Sequence, residues 1–356
     1  MIQLPQTDDI ARAGGKTVDF DLFSKLSLIP AASGREELLG GEIARMIKPY
    51  CDGVSVDAMG NVIAFKKGSG GKKIMVAAHM DEVALKIRYI DEKGFLYFTL
   101  TGGIDPRTLL SQRVLLQTEE NGLIPGVIGA KAAHYLTAAE KTQPLDALSL
   151  YIDCGFNFEE ISKIVSIGDP VVLDRTPAEL GGGLFTAKAI DDRAGVYILV
   201  QVIKNMPKEH KDDIYFVFTV QEEYGLIGAH GAVMAIRPDV ALAVDTTGAL
   251  DTPGMRPQDY VVSLGKGVGI TLTDGTTIAD RALCKSLIKI CKDKGIAYQL
   301  RVAARGSNDA KAMQRESGPV KAAALSVPVR YIHSNVETAS KHDIDAAYNL
   351  VLNFLS

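Results

Sequence analysis

The chain has 356 residues, of which 47% are hydrophobic and 23% are charged. This is ordinary globular composition, and at roughly 150 residues per domain the length predicts about two domains. The net charge of −4 and the pI near 5.9 exclude the basic character of a general nucleic-acid binder. No apolar run approaches the roughly 20 residues that cross a bilayer, and residues 1–15 lack a basic region followed by an apolar stretch. We therefore expect a cytoplasmic protein without nucleic-acid or membrane partners.

The first 82 residues alternate between helical and strand patterns. Ser33 and Glu36 have the spacing of a capping box, which predicts a helix beginning near Gly34. An apolar stripe at helical spacing follows, formed by Leu39, Ile43, Met46 and Ile47. The apolar runs 61–65 and 73–78 flank the sequence GSGG and predict two strands joined by a tight turn.

Residues 83–173 show a different pattern. Short β-like runs are separated by the turn sequences DEKG, ENG and GD, with no helical pattern longer than two turns. This segment predicts a small, inserted, β-barrel-like domain, whose size is compatible with independent folding.

From Gly183 onward, strand and helix patterns alternate again. The predicted strands are LFTAKAI, IYFVFTV, VALAV, IAYQLRV, VKAAALSV and VRYI, and the predicted helices are 193–205, 226–236, 278–294 and 341–355. Such alternation is typical of a largely parallel sheet flanked by helices. We predict an α/β fold in which residues 1–82 and 174–356 form one discontinuous domain, interrupted by the insert at 83–173.

The four cysteines form no Cys-x-x-Cys pair; they are Cys51, Cys154, Cys284 and Cys291. The last two are seven residues apart in a helical pattern and so share one face. Because disulfides are rare in the cytoplasm, we expect buried free thiols.

Five of the apolar runs end in a histidine or a carboxylate. The residues at these ends are His79, Asp81 and Glu82; Asp191 and Asp192; Glu222 and Glu223; Asp245; and His333. Each has an ordinary structural alternative, such as a helix cap for Asp191 or a solvated turn for the Glu222-Glu223 pair. All five ends nevertheless fall at the same predicted edge of one sheet, where binding and catalysis gather in α/β proteins.

Two histidines with three or more carboxylates suit zinc, cobalt or manganese. A single catalytic zinc usually takes three protein ligands, so five candidates fit two ions that share a bridge. Two divalent ions carry four positive charges, and three carboxylates plus one hydroxide would bring the site near neutrality.

Several ordered motifs resemble one known family. They are AHMDE at 78–82, AIDDRAG at 189–195, TVQEEYGLIGA at 219–229, AVDTT at 243–247 and YIHSNVE at 331–337. They are similar to the co-catalytic metallo-aminopeptidases that form tetrahedral particles, a family that includes glutamyl aminopeptidases and proteins formerly labelled endoglucanases. The resemblance extends over nearly the whole chain, including the insert and the sequences DTPG at 251–254 and LGKG at 264–267.

The resemblance implies roles for most of the polar residues at the strand ends. His79 and Asp245 would hold one metal ion, Glu223 and His333 would hold the other, and Asp191 would bridge the two. Zinc or cobalt would be the usual ion, with manganese as a further candidate.

Two more roles follow from the resemblance. Asp81 would orient the ring of His79, and Glu222 would act as general base in peptide hydrolysis by metal-activated water. Adjacent residues of a regular strand point to opposite faces, so Glu222 and Glu223 both reach the site only if the strand breaks, which we expect at Tyr224-Gly225. Asp192 is expected to position the backbone.

Two segments differ from the family pattern. Residues 306–310 read GSNDA where relatives commonly have Gly-Gly-Thr-Asp-Ala, and residues 131–134 read KAAH where relatives tend to carry prolines. The remaining histidines are expected to be structural or exposed; they are His134, His210, His230 and His342.

The leading prediction is removal of N-terminal residues from short peptides, in a tetrahedral dodecamer whose sites face an enclosed cavity. A deacylase or carboxypeptidase could use the same metal cluster. A glycosidase needs two carboxyl groups about 5 Å, or roughly 6.5 to 9.5 Å, apart across a sugar, which the adjacent Glu222 and Glu223 do not naturally supply. An inactive assembly protein would be expected to lack the base or a ligand, and neither is missing.

Overall fold

The computed structural model describes residues 18–138, 140–316 and 318–356, with Glu316 described by its backbone alone. The interpretation of residues 1–15 as lacking a membrane or export signal lies outside these ranges. No helix within the ranges combines the length and the apolar character that a membrane span requires.

The helices lie mainly in the second half of the chain. They are α1 (Phe20–Leu28), α2 (Glu37–Ile47), α3 (Phe158–Ile161), α4 (Ile190–Asn205), α5 (Ile227–Ile236), α6 (Arg281–Lys294), α7 (Asp309–Glu316) and α8 (Lys341–Leu355).

The strands divide between one large sheet and one barrel. Those of the sheet are β1 (Gly53–Val56), β2 (Val62–Lys66), β3 (Lys73–His79), β10 (Ala178–Glu179), β11 (Leu184–Ala187), β12 (Asp213–Thr219), β13 (Val240–Gly248), β14 (Val268–Thr273), β15 (Tyr298–Val302), β16 (Lys321–Arg330) and β17 (Glu337–Ser340). Those of the barrel are β4 (Ala84–Ile90), β5 (Leu96–Thr101), β6 (Gln112–Thr118), β7 (Gly122–Ile128), β8 (Tyr151–Asp153) and β9 (Pro170–Leu173).

The large sheet is mixed. Its strands follow the order β1-β2-β12-β3-β13-β16-β17-β11-β10, and β14 pairs with both β16 and β15. The pairs β12–β3, β3–β13, β13–β16 and β14–β15 are parallel, and the other pairs are antiparallel. The prediction of a largely parallel sheet is therefore confirmed only for its centre.

Helices cover both faces of this sheet. In β3, Ile74, Val76 and Ala78 point toward the core shared with α1, α2, α4, α6 and α8, whereas Met75 and Ala77 point toward the smaller core under α5 and α7. This alternation follows from the two-residue period of a strand. Both faces are apolar, so the central strands read as continuous hydrophobic runs.

The insert forms a closed barrel in the order β4-β5-β8-β7-β6-β9. Its buried side chains make a separate hydrophobic core that includes Leu85, Phe98, Val114, Ile152 and Val171. The one α-helix described between residues 83 and 173 is α3, with four residues. The expectation of an insert without long helices is thus confirmed for its described residues.

The capping box expected at Ser33 is wrong. The Ser33 hydroxyl donates to Asp81, and the Glu36 carboxylate accepts from the backbone of Gly34 and Gln221. Helix α2 therefore begins at Glu37 without a side-chain cap. The Ser33 and Glu36 side chains thus form hydrogen bonds outside the predicted capping box, and neither caps the helix.

Two strand predictions also need correction. The runs at 61–65 and 73–78 form β2 and β3, but β12 lies between them, so they are not a hairpin. The runs VKAAALSV and VRYI belong largely to one strand, β16, because Pro328 between them is accommodated within it. The cysteines are free as expected, although Cys51 and Cys154 are only partly buried.

Candidate active site

The predicted ligands come from neighbouring strand ends. Strands β12 and β13 both run parallel to β3, and Thr219 at the end of β12 is in register with His79 at the end of β3. Asp245 lies in β13 two residues beyond Ala243, which pairs with Ala77 of β3. The carboxyl ends of parallel strands meet at one edge, and the polar side chains collect there.

Asp191 lies between the two histidines. Its Oδ1 is 3.2 Å from Nε2 of His79, and its Oδ2 is 3.2 Å from Nε2 of His333. On the outer sides, Asp245 Oδ1 is 3.9 Å from His79 Nε2, and Glu223 Oε1 is 3.3 Å from His333 Nε2. The structure thus brings all five predicted ligands into one continuous cluster.

Irregular backbone delivers these side chains. Ala189, Gln221 and His333 have φ values of 53°, 54° and 62°, a region that residues other than glycine rarely adopt. Such conformations concentrate at functional sites, where the surrounding structure imposes them. The peptide bond between Asp191 and Asp192 is cis, and regular helical geometry in α4 begins only after this pair.

Glu222 and Glu223 follow the end of β12 at Thr219. The strand has already ended when the chain turns at Gln221, so the break precedes the pair. The break is therefore not at Tyr224-Gly225, where the sequence predicted it. Both glutamates line the same cavity as the cluster.

Asp81 is fully buried and holds this turn. Its Oδ1 accepts from the Glu222 N–H at 2.9 Å, and its Oδ2 accepts from the Glu223 N–H at 3.1 Å and from the Ser33 hydroxyl at 2.6 Å. The nearest acceptor to His79 Nδ1 is the Asp81 carbonyl at 3.0 Å, while the carboxylate is 3.5 Å away. A proton on Nδ1 leaves Nε2 free to face the cluster.

Glu337 was not singled out from the sequence, although it ends the motif YIHSNVE. It is buried, and its two carboxylate oxygens accept from the backbone N–H groups of Asp191 at 3.0 Å and His333 at 2.7 Å. Glu337 therefore fixes two members of the cluster through their backbone. The signal available from the sequence was an acidic residue four positions after His333.

The barrel also contacts the cluster. The carbonyl oxygen of Gly103, in the loop after β5, lies 3.1 Å from Nδ1 of His333. A Cβ on Gly103 would lie 2.9 Å from the same nitrogen, and a Cβ on Gly102 would lie 3.2 Å from Oε2 of Glu223. No pattern in the sequence indicates this approach, because the loop is remote from the motifs.

Burial and crowding disfavour ionisation of the acidic groups in the cluster, and bound cations would offset this. Burial raises the pKa of Asp245 to about 8 and also raises the pKa of Glu222 and of Glu223. Burial alone would lower the pKa of His333, but its contacts with Asp191 and Glu223 raise that pKa to about 12. Protons would thus occupy a site whose carboxylates are too crowded to ionise together.

The residues present fit divalent metal ions. Buried Oε1 of Glu223 and Oδ2 of Asp192 have no hydrogen-bond partner among the residues that the structure describes. Ligand atoms of His79, Asp191 and Glu223 lie within 4.8 Å of one another, as do those of His79, Asp192 and Asp245. Imidazole nitrogen with carboxylate oxygen is a donor set that zinc, cobalt and manganese accept.

Asp192 caps the regular part of α4. Its Oδ1 accepts from the Gly195 N–H at 2.9 Å, which agrees with the backbone-positioning role expected for it. The other four histidines lie outside the candidate metal groups found among the described residues; they are His134, His210, His230 and His342.

A parallel sheet centre with a cluster of histidines and carboxylates at its carboxyl edge fits a metal-dependent hydrolase. Residues 60–350 match the M42 glutamyl aminopeptidase family, and the chain belongs to this family of peptide hydrolases. The resemblance inferred from the sequence motifs is thereby confirmed.

Several relatives are similar over nearly their full length. An aminopeptidase structure from the archaeon Desulfurococcus kamchatkensis is 40% identical with a TM-score of 0.89, and the match covers 94% of this chain and 93% of that one. The lysyl aminopeptidase of Pyrococcus furiosus is 34% identical over 94% of this chain and 95% of its own length. The Pyrococcus horikoshii TET1 peptidase, which assembles into a tetrahedron or a large octahedral shell, is 35% identical with a TM-score of 0.86. The match covers 94% of this chain and 98% of that one.

Proposed function

We propose that this protein removes N-terminal residues from short peptides with a pair of divalent metal ions. His79 and Asp245 would hold one ion, Glu223 and His333 the other, and Asp191 would bridge them. The observation that carries the proposal is the Asp191 carboxylate, which has one oxygen 3.2 Å from each histidine. Zinc or cobalt suits this donor set best, and manganese is the next candidate.

Bound divalent ions polarise the scissile carbonyl and lower the pKa of water. Glu222 is the proposed general base, since its carboxylate lines the same cavity and its backbone is held by Asp81. It accepts a proton from the attacking water and later donates it to the leaving amine. Asp81 is a positioning residue in this scheme.

Recognition of a free amine separates an aminopeptidase from a deacylase or carboxypeptidase. The metal-stripped enzyme is reconstituted separately with zinc, cobalt and manganese and given a tripeptide or its N-acetylated form. We expect release of the first residue from the free tripeptide alone, and no activity before metal is added. Equal hydrolysis of the acetylated form would contradict the proposal, and activity that survives complete chelation would contradict the metal site.

We also propose that the chain assembles into a tetrahedral dodecamer. The TET1 peptidase supports this, being similar over 98% of its length. The barrel offers apolar surface for contacts, since Val127, Leu148 and Ile167 are between 46% and 62% exposed. The cytoplasmic location inferred from the sequence stays a prediction.

A further inference from the structure

The turn that carries Glu222 is held by two buried carboxylates. The N–H groups of Gln221, Glu222 and Glu223 follow one another along the chain, and each donates to a carboxylate. The first donates to Glu36 Oε1 at 3.0 Å, and the next two donate to Asp81 at 2.9 and 3.1 Å. Because Gln221 has a φ of 54°, the backbone at this turn needs support from its surroundings.

Glu222 depends on this support more than Glu223 does. Glu223 Oε1 lies 3.3 Å from Nε2 of His333, whereas no hydrogen bond from a residue that the structure describes fixes the Glu222 carboxylate. The position of the proposed base is therefore set through its main chain, by Glu36 and Asp81.

Both carboxylates are bonded to the segment 30–36, which precedes α2. The Ser33 hydroxyl donates to Asp81 Oδ2 at 2.6 Å, and the Gly34 N–H donates to Glu36 Oε1 at 2.8 Å. Ser33 and Glu36 are only 4% and 5% exposed, so water competes little for these contacts. Movement of this segment would therefore move both supports of the turn.

Gln117, in β6 of the barrel, binds the same segment. Its Oε1 accepts from the Ala32 N–H at 3.1 Å, and its Nε2 donates to the carbonyl oxygens of Arg35 at 3.3 Å and Pro30 at 3.4 Å. Gln117 is buried, and buried backbone groups need such partners. A primary amide both accepts and donates, which neither a carboxylate nor an apolar side chain does. One side chain of the barrel thus fixes three backbone groups of the segment.

We propose that Gln117 is a positioning residue for the general base: it fixes the segment 30–36, and this segment fixes the turn that carries Glu222. The inference rests on the proposed function of Glu222. The contacts lead from the barrel to the segment, then to the two carboxylates and then to three consecutive N–H groups, with every distance between 2.6 and 3.4 Å. The contact of Gly103 with His333 lies outside this series, so the barrel supports the base and a proposed metal ligand through different residues.

The first test replaces Gln117 with Met, which keeps the length of the side chain and removes all three hydrogen bonds. Displacement of a reacting group by about 1 Å costs up to 100-fold, so we expect kcat for aminoacyl p-nitroanilides to fall by roughly 10-fold. KM should be unchanged, because the base acts in the chemical step and not in substrate binding. Metal content, measured by elemental analysis, should also be unchanged. An unaltered kcat, or a fall that parallels loss of metal, would overturn the inference.

Thr118→Val is the matched control for loss of barrel stability. Thr118 is the next residue of β6 and is also buried, but its hydroxyl is bonded within the barrel. It donates to the Gly122 carbonyl at 2.9 Å and accepts from the Asn121 N–H at 3.1 Å. We expect this variant to keep its kcat even where its unfolding temperature falls. An equal fall in kcat for Gln117→Met and Thr118→Val would assign the effect to the stability of the barrel and overturn the inference.

The second test asks whether Gln117 acts through Glu222. Single-turnover rates, with enzyme in excess over substrate, are measured for Glu222→Gln with and without Gln117→Met. Because the base is already absent in this background, we expect Gln117→Met to change the rate by less than about twofold, a clear departure from additivity. If Gln117→Met costs the same factor here as in the unmodified enzyme, it acts by another route and the inference is overturned.

Failure of the proposed function gives a different result. If Glu222→Gln keeps full turnover, Glu222 is not the base, and the proposed mechanism is wrong together with the inference. If Glu222→Gln loses turnover and Gln117→Met does not, the inference alone is overturned. Should Gln117→Met fail to fold, Gln117→Glu takes its place under the same criteria, because it keeps the acceptor for Ala32 and loses the donors to Pro30 and Arg35.

Discussion

Asp81 and Glu337 hold the cluster in place, although neither is one of its five proposed metal ligands. Each is buried, and each carboxylate accepts two backbone N–H groups, from Glu222 and Glu223 in one case and from Asp191 and His333 in the other. A carboxylate has two oxygens that accept and none that donate, so it suits a pair of N–H groups. The positions of the ligands are thus set through their main chain.

Replacing Glu337 with Gln should weaken metal binding. An amide has one acceptor oxygen, so one of the two N–H groups would face an NH2 group. We expect affinity to fall by roughly 10- to 100-fold, as for other groups that orient metal ligands. Competition with a chelator of known affinity measures this, with the exposed Glu209→Gln as control. Unchanged competition in Glu337→Gln would show that the N–H contacts are dispensable.

Replacing Glu222 with Gln should lower turnover without lowering metal binding. The variant lacks the proposed proton acceptor, and we expect turnover to fall by roughly 10²- to 10⁴-fold. Metal content and assembly should be retained, as measured by elemental analysis and light scattering. The exposed Glu119→Gln serves as the control. Turnover close to that of the unmodified enzyme would rule out Glu222 as the base.

At the level of elements, the central strands and the cluster were predictable because parallel strands place their carboxyl ends together. The elements missed from the sequence include α1, β1, β14, β17 and α7. Residues 337–340 (ETAS) lack an apolar pattern, yet β17 is buried because it lies between β16 and β11. Asp309–Glu316 has few apolar residues and was not recognised as a helix, although it covers the sheet beside α5. The position of these segments in the folded protein, which the local sequence does not encode, determines their secondary structure.

The loop after β5 is expected to control the position of His333. In Gly103→Ala the new Cβ would lie 2.9 Å from His333 Nδ1, so the imidazole must move. We expect kcat/KM to fall by about 10-fold or more, since displacement of about 1 Å at an active site costs up to 100-fold. Gly129→Ala, directly after β7 of the barrel, is the control, because no described residue other than its chain neighbours has an atom within 4 Å of the new Cβ. Equal kinetics for both variants would argue against this coupling.

Helix α8 carries a titratable group whose effect on stability depends on pH. Burial raises the pKa of the half-buried Asp345 to about 7. Its unfolded value is about 3.9, so between these values the folded state binds a proton that the unfolded state releases. The stability that Asp345 contributes is therefore complete below about pH 4 and is lost as the pH rises through 7.

Asp345→Asn removes this titration. The difference in unfolding temperature between the variant and the unmodified protein should shift in favour of the variant as the pH rises from 5 to 8. Thermal unfolding of both proteins at the two pH values measures the change. A difference between Asp345→Asn and the unmodified protein that is the same at pH 5 and pH 8 would contradict the assignment.

For the whole molecule, the proposed dodecamer predicts a specific mass. Light scattering should give about twelve times the 38.2 kDa of one chain. The exposed apolar side chains of the barrel, Val127, Leu148 and Ile167 among them, would then be candidates for burial between chains. A monomer at the concentrations used for activity would contradict the assembly, while leaving the metal site and its chemistry intact.

The hydrogen bond between Gly103 and His333 limits how freely the barrel can be engineered. The barrel has its own hydrophobic core and joins the rest of the chain through residues near both of its ends, which suggests a module that could be exchanged between homologues. Its loop, however, supplies the acceptor for a proposed metal ligand. A chimaera with a foreign barrel must therefore also reproduce the position of the Gly103 carbonyl, since grafting the barrel without this loop would remove the hydrogen-bond partner of the His333 imidazole.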